Sequence, residues 1–143
     1  MDRETAQPIT KHRLQRYRAL KLEIGSQTER LMRERSALEA TGTKIDGMPK
    51  SNYAVDKMAK GIAKVVELEN LINKNLPHLQ NEALFLEQGI QRVSNPTYRE
   101  ILRMRYLDVH TWDYISEKLC YVTAWLHVLH NRALEDIYEI TKD

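Results

Sequence analysis

Between Val55 and Val93 the chain repeats a pattern that few folds can use. Val55, Met58, Ile62, Val65, Glu69, Ile72, Leu76, Leu79, Ala83, Leu86, Ile90 and Val93 alternate steps of three and four without a slip. Eleven of these twelve positions are apolar, and Glu69 is the exception. Alternating 3,4 spacing keeps one seam of a helix against a neighbour, so the segment predicts a long helix needing a long partner. Pro77 lies inside the pattern. A proline removes one helical hydrogen bond and crowds the preceding turn, so a kink or a break is expected near 75–77.

The partner is available upstream. From Ile9 to about Thr41 the sequence reads as one helix, with Tyr17, Ile24, Leu31 and Leu38 recurring every seven residues. Its companion seam is weak, because Leu20 is followed by Gln27 and Glu34. Between the two helices "TGTKIDGMPKSNYA" collects Gly42, Gly47, Pro49, Ser51 and Asn52, which reads as a loop over about 41–54. An antiparallel helical hairpin over 1–94 follows. Because the second seam is longer and better filled than the first, apolar surface is left over. Ile62, Val65, Ile72, Leu76, Leu79 and Leu86 are therefore expected to mediate self-association, with a dimer as the simplest case.

The remainder, 95–143, reads as three short helices. Asn95 is suited to an N-cap and Pro96 to the first helical position. Thr111 caps a second helix carrying Trp112, Ile115 and Leu119 on one side. After a turn at 120–122, Thr123 is placed to cap a third helix, whose buried stripe is Leu126, Leu129, Ala133 and Ile137. The expected fold is all-α: a coiled-coil-like hairpin followed by a helix-turn-helix module.

Charge is asymmetric although the net is only +2. Residues 1–95 hold 16 Lys and Arg against 12 Asp and Glu, whereas residues 96–143 hold 6 against 8. Positive density peaks where Lys11, Arg13, Arg16, Arg18 and Lys21 crowd three helical turns. This segment serves either as a solvated helix face or as a phosphate-contacting one, with Arg13 and Arg16 as candidates.

Other chemistries find little support. His127 and His130 are three apart, as metal ligands can be, but no cysteine or carboxylate cluster completes a set, and no metal or cofactor is expected. Cys120 is the single cysteine and has no dyad partner, so a disulfide framework is excluded and a reducing cytoplasm is expected. No phosphate-binding glycine loop or nucleophile elbow occurs, so an enzyme is not expected. The first ten residues contain no apolar h-region, and no run of about 18 apolar residues occurs, so no membrane association is expected.

The segment "ILRMRYLDVHTWDYISEKLCYVTAWLHVLHNRALEDI" resembles the fourth conserved region of bacterial sigma factors. The resemblance rests on Arg105-Tyr106, Thr111-Trp112, Ile115, Leu119 and Arg132-Ala133-Leu134. "GMPKSNYAVDKMAKGIAKVVELE" and the helix after it resemble the leader of small phage proteins of Gram-positive hosts. These are grouped with the ArpU/RinA-type late transcriptional regulators. Together the two resemblances cover roughly residues 45–140. They imply a phage-encoded transcriptional regulator, acting in the bacterial cytoplasm on double-stranded DNA.

Carried across by position, the resemblance implies a recognition helix beginning near Thr123. Its outer side would hold Thr123, Ala124, Trp125, His127, Val128 and Asn131, with Lys118 and Arg132 placed for phosphates. Three residues depart from the pattern. Cys120 replaces the turn glycine, Val122 stands where a serine cap is usual, and Val128 replaces a polar residue. Trp125 either completes the small core or lies outside it. The alternative function is an adaptor docking on host RNA polymerase or another protein through Tyr121, Trp125 and Val128. A DNA-packaging small subunit is a third reading, in which the DNA-binding module usually comes before the oligomerising helices; here the order is reversed.

Overall fold

The computed structural model describes residues 7–42 and 52–142. Every element in them is helical: α1 (Lys11–Gly42), α2 (Asn52–Gln91), α3 (Pro96–Leu102), a π-helical segment (Arg103–Leu107), α4 (Trp112–Leu119) and α5 (Thr123–Thr141). The protein is all-α, as its periodicity predicts. α1 and α2 overrun the expected loop at both ends, and positions 43–51 lie outside the described residues. α2 continues through Pro77, so of the expected kink or break the break is not present. Pro77 is exposed, where water can bond to the carbonyl its ring leaves without a donor.

Compactness divides the chain elsewhere than at 94/95. One unit comprises the chain up to Leu22 together with His78 onwards; the other is Glu23–Pro77.

In the Glu23–Pro77 unit, α1 and α2 meet through small and paired residues. Ile24 and Leu31 of the heptad stripe are buried. A Cβ at Gly61 would come 2.8 Å from Leu38 Cδ2, so glycine permits a close approach there. Glu69, the polar break in the seam, meets Arg35 at 2.5 Å. Both side chains are substantially exposed, so this pair specifies register more than it stabilises. Gln27, the weak companion position, is buried, and its Oε1 finds no partner among the described residues. An unpaired buried carbonyl of this kind costs about 1–3 kcal/mol.

In the other unit the start of α1, the end of α2 and the last three helices share one core. Ile9, Leu14, Leu86, Ile90, Val93, Ile101, Leu102, Ile115, Leu126, Ala133 and Ile137 are fully buried. Leu79 and Leu86 are therefore corrected: they complete the core of a single chain and are not available for self-association. Gly89 is the point of closest approach, since a Cβ there would lie 2.3 Å from Ile9 Cδ1. The buried stripe predicted for α5 is observed in full.

Local signals explain how each short helix begins. Asn95 Oδ1 accepts from the N–H groups of Thr97 at 2.9 Å and Tyr98 at 3.3 Å, with Pro96 at the first helical position. Thr111 Oγ1 accepts from the N–H of Tyr114 at 3.2 Å. α5 corrects the third expectation, because its N-cap is Val122 and no side chain caps it. Thr123 is already helical.

Candidate nucleic-acid interface

The turn between α4 and α5 is set by Cys120. Its φ of 59° and ψ of 38° are left-handed, a conformation that favours glycine, and the Tyr121 N–H returns to the Ser116 carbonyl at 3.1 Å. Ser116 Oγ also donates to the Tyr121 carbonyl. This closes α4 and sends the chain into α5 after three residues. Tyr121 folds onto the core of Ile101, Met104, Ile115, Leu126 and Leu129, as do Tyr98, Trp112 and Leu119. Tyr121, expected to face a protein partner, is half-buried with part of its side chain on this core.

α5 buries Leu126, Leu129 and Ala133 and exposes the opposite side. Thr123, Ala124, Trp125, His127, Val128, Asn131 and Arg132 are all exposed. Trp125 lies outside the core, 43% exposed, with the Arg132 guanidinium 5.3 Å from its ring centroid. The exposed Lys118 of α4 stands 5.8 Å from the Tyr114 ring.

Two buried groups hold α5 to the π segment. Tyr106 Oη and His130 Nε2 are hydrogen-bonded at 2.7 Å. Burial pushes the phenol up to about 12. It also pulls the imidazole down to about 4, helped by the positive charges of Lys11, His127 and Arg105. His130 is therefore neutral and buried. Trp112 packs edge-on to both His127 and His130, with centroids at 4.8 Å and 4.6 Å. Among the described residues no group of three histidine, cysteine or carboxylate side chains could hold a metal.

The basic N-terminal segment is used differently from the expectation. Arg13 is only 5% exposed. Its Nε meets Glu82 Oε1 at 2.5 Å, its Nη1 donates to the Gln7 carbonyl at 2.9 Å, and its plane lies 4.2 Å from the Phe85 centroid. A buried cation so enclosed is withdrawn from phosphates, and Arg13 is corrected to a structural residue. Arg18 Nε donates to the Arg105 carbonyl at 3.1 Å, and Lys21 Nζ donates to the Leu107 carbonyl. These two cations satisfy the orphan carbonyls where the π segment ends. Arg16 remains exposed and lines a cavity of about 230 Å³ that also contains Glu82.

A second, larger groove of about 530 Å³ gathers part of the predicted site. His127, His130 and Asn131 of α5 line one side with Trp112 of α4. Lys11, Gln15, Arg18 and Leu22 of α1 also line the groove, and Arg105 and Tyr106 complete the lining. Arg105 is fixed there by a 3.1 Å bond from Nη1 to the His110 carbonyl and by the Trp112 ring, 4.4 Å away. Arg18 and Lys11 belonged to the basic run, but their grouping with Arg105 was not anticipated. The 4,3,4 spacing of Lys11, Gln15, Arg18 and Leu22 was the available signal, since it marks one helical face.

No protein-family model, curated protein or solved structure matches the chain.

Proposed function

We propose that this protein is a DNA-binding transcriptional regulator of the phage late-gene type, with α4, the Cys120 turn and α5 serving as a helix-turn-helix. The observation that carries this reading is the outward side of α5. It leaves His127, Asn131 and Arg132 exposed just beyond a tight turn, while the opposite side is buried. His127 and Asn131 have the reach to hydrogen-bond base edges, and Lys118 and Arg132 supply charge for phosphates. Few long polar side chains face outward, so backbone contacts and DNA shape would carry most of the affinity. The long α1–α2 hairpin would serve self-association through the exposed Ile62 and the half-buried Val65, Ile72 and Leu76.

The test is binding of duplex fragments from the source genome, read by fluorescence anisotropy across salt concentration. A steep fall of affinity with salt is expected, strongest for fragments upstream of late genes. Replacing both Lys118→Ala and Arg132→Ala removes two cations and should reduce the logarithmic salt slope by about 2. Unchanged affinity and slope in that double variant would defeat the reading.

A second reading is favoured by the apolar residues on the same side. Val122 is 73% exposed and Val128 39% exposed, beside Trp125. An adaptor that docks on host RNA polymerase would use them. Recovery of polymerase on immobilised protein after nuclease treatment, abolished by Trp125→Ala, supports the adaptor over the DNA reading.

A further inference from the structure

We propose that the groove between α1 and the α4–α5 pair is a phosphate-binding site, with Lys11, Arg18 and Arg105 as its cationic walls. Three observations carry it. None of the residues lining the groove is acidic, although the cations approach from two separate parts of the chain. Among the described residues no salt bridge involves Lys11, Arg18 or Arg105, whereas the neighbouring Arg13 and Arg103 are each paired with a glutamate. The arginines are also held in place by neutral groups. A guanidinium has five donors. Arg18 gives one to the Arg105 carbonyl and Arg105 gives one to the His110 carbonyl, each at 3.1 Å.

The electrostatics agree with this geometry. Burial, followed by the nearby Arg18 cation, lowers the proton affinity of Arg105 below the usual guanidinium range. Like charges held together without an anion are relieved when one enters. A guanidinium stacked on Trp112 and pinned at one nitrogen presents its remaining donors in a fixed fork, a geometry suited to phosphate oxygens. Gln15 and Asn131 add uncharged polar side chains to the lining, so a phosphate could be bonded from both sides.

The phosphate could come from two sources. If α5 lies against DNA, the groove beside His127 and Asn131 takes one or two backbone phosphates, an assignment that rests on the reading given above. The other source is a free phosphorylated small molecule.

Two exposed positions on α1 allow a test that does not disturb the core: Lys11→Gln removes a charge and Gln15→Glu introduces a carboxylate into the groove. Binding is measured to duplex DNA by anisotropy and to inorganic pyrophosphate by thermal shift at low salt, with circular dichroism to verify folding. If DNA is the source, the wild type binds duplex and the double variant binds more weakly and loses about one unit of logarithmic salt slope. If the source is a small molecule, pyrophosphate raises the wild-type melting temperature by a few degrees while DNA is ignored, and the double variant does not respond. That outcome supports the groove and defeats the DNA reading. DNA binding that persists in the double variant with an unchanged slope, without a pyrophosphate response in the wild type, overturns the groove and leaves the α5 reading intact. Silence of the wild type toward both ligands overturns the groove as well.

Discussion

The backbone N–H of Ile9 donates to the Thr141 hydroxyl at 2.8 Å, joining positions 132 residues apart inside the core. The same hydroxyl donates to the Ile137 carbonyl one turn back, at 2.7 Å, so it is oriented by the helix that carries it. The N–H of Ile9 precedes α1 and has no helical partner of its own, so this hydroxyl satisfies it.

Thr141→Val keeps the shape of the side chain and removes the acceptor. The buried N–H of Ile9 is then unpaired, and a loss of about 1–3 kcal/mol is expected in urea unfolding. Thr141→Ser restores the hydroxyl and should recover most of it. Equal stability of the valine and serine variants would mean the bond contributes nothing.

Arg13 gives the sharpest contrast between a structural and a functional cation. Arg13→Ala leaves the Glu82 side chain, 13% exposed, without its partner, and should destabilise by about 3–5 kcal/mol. Arg13→Met with Glu82→Leu removes both charges and should lie much closer to wild type. Should Arg13→Ala leave the urea midpoint in place while weakening DNA binding, Arg13 is a phosphate contact after all.

His130 predicts a pH dependence whose sign follows from its burial. The imidazole titrates at about 4 in the folded protein against 6.5 ordinarily. Between those values the unfolded chain binds a proton that the folded one refuses, so stability falls as pH drops from about 6.5 towards 4. Above 6.5 this group contributes no slope. A shift of that size corresponds to at most about 3 kcal/mol, less where solvent reaches the ring. Tyr106→Phe with His130→Leu removes both partners together, and its unfolding midpoint should depend less on pH across this window than that of the wild type. Parallel profiles for the two proteins would rule out His130 as the source.

Cys120 is exposed and holds a left-handed backbone, which for a residue with a Cβ costs about 1–2 kcal/mol. Cys120→Gly relieves this and gives back part of the gain through a more flexible unfolded chain. A net stabilisation of about 0.5–1 kcal/mol is expected, seen as a higher melting temperature. Cys120→Ala retains the Cβ and should show no gain; a gain of equal size in both variants would place the effect in the thiol instead.

The elements legible in the sequence are those specified by neighbours within a few residues. The Asn95–Pro96 start of α3, the Thr111 cap of α4 and the Leu126, Leu129, Ala133 and Ile137 stripe of α5 depend on bonds and spacings of two to four residues, and each is observed. The left-handed turn between α4 and α5 was marked only by the resemblance, in which Cys120 stands in place of a turn glycine. Other outcomes turned on partners far away in the chain. Whether Arg13 faces a phosphate or Glu82 is decided by a carboxylate 69 residues distant, and whether Leu86 joins a dimer seam or a core depends on what packs over the end of α2. The burial of His130 depends on Tyr106, its hydrogen-bond partner 24 residues away, on a π turn that periodicity does not reveal. Helical hydrogen bonds and caps are local, so sequence alone determines where helices form and which side is apolar. Burial and charge pairing depend on contacts between distant segments. Tertiary packing therefore decided which cations pair with a carboxylate and which, at Lys11, Arg18 and Arg105, line a groove with no salt bridge among the described residues.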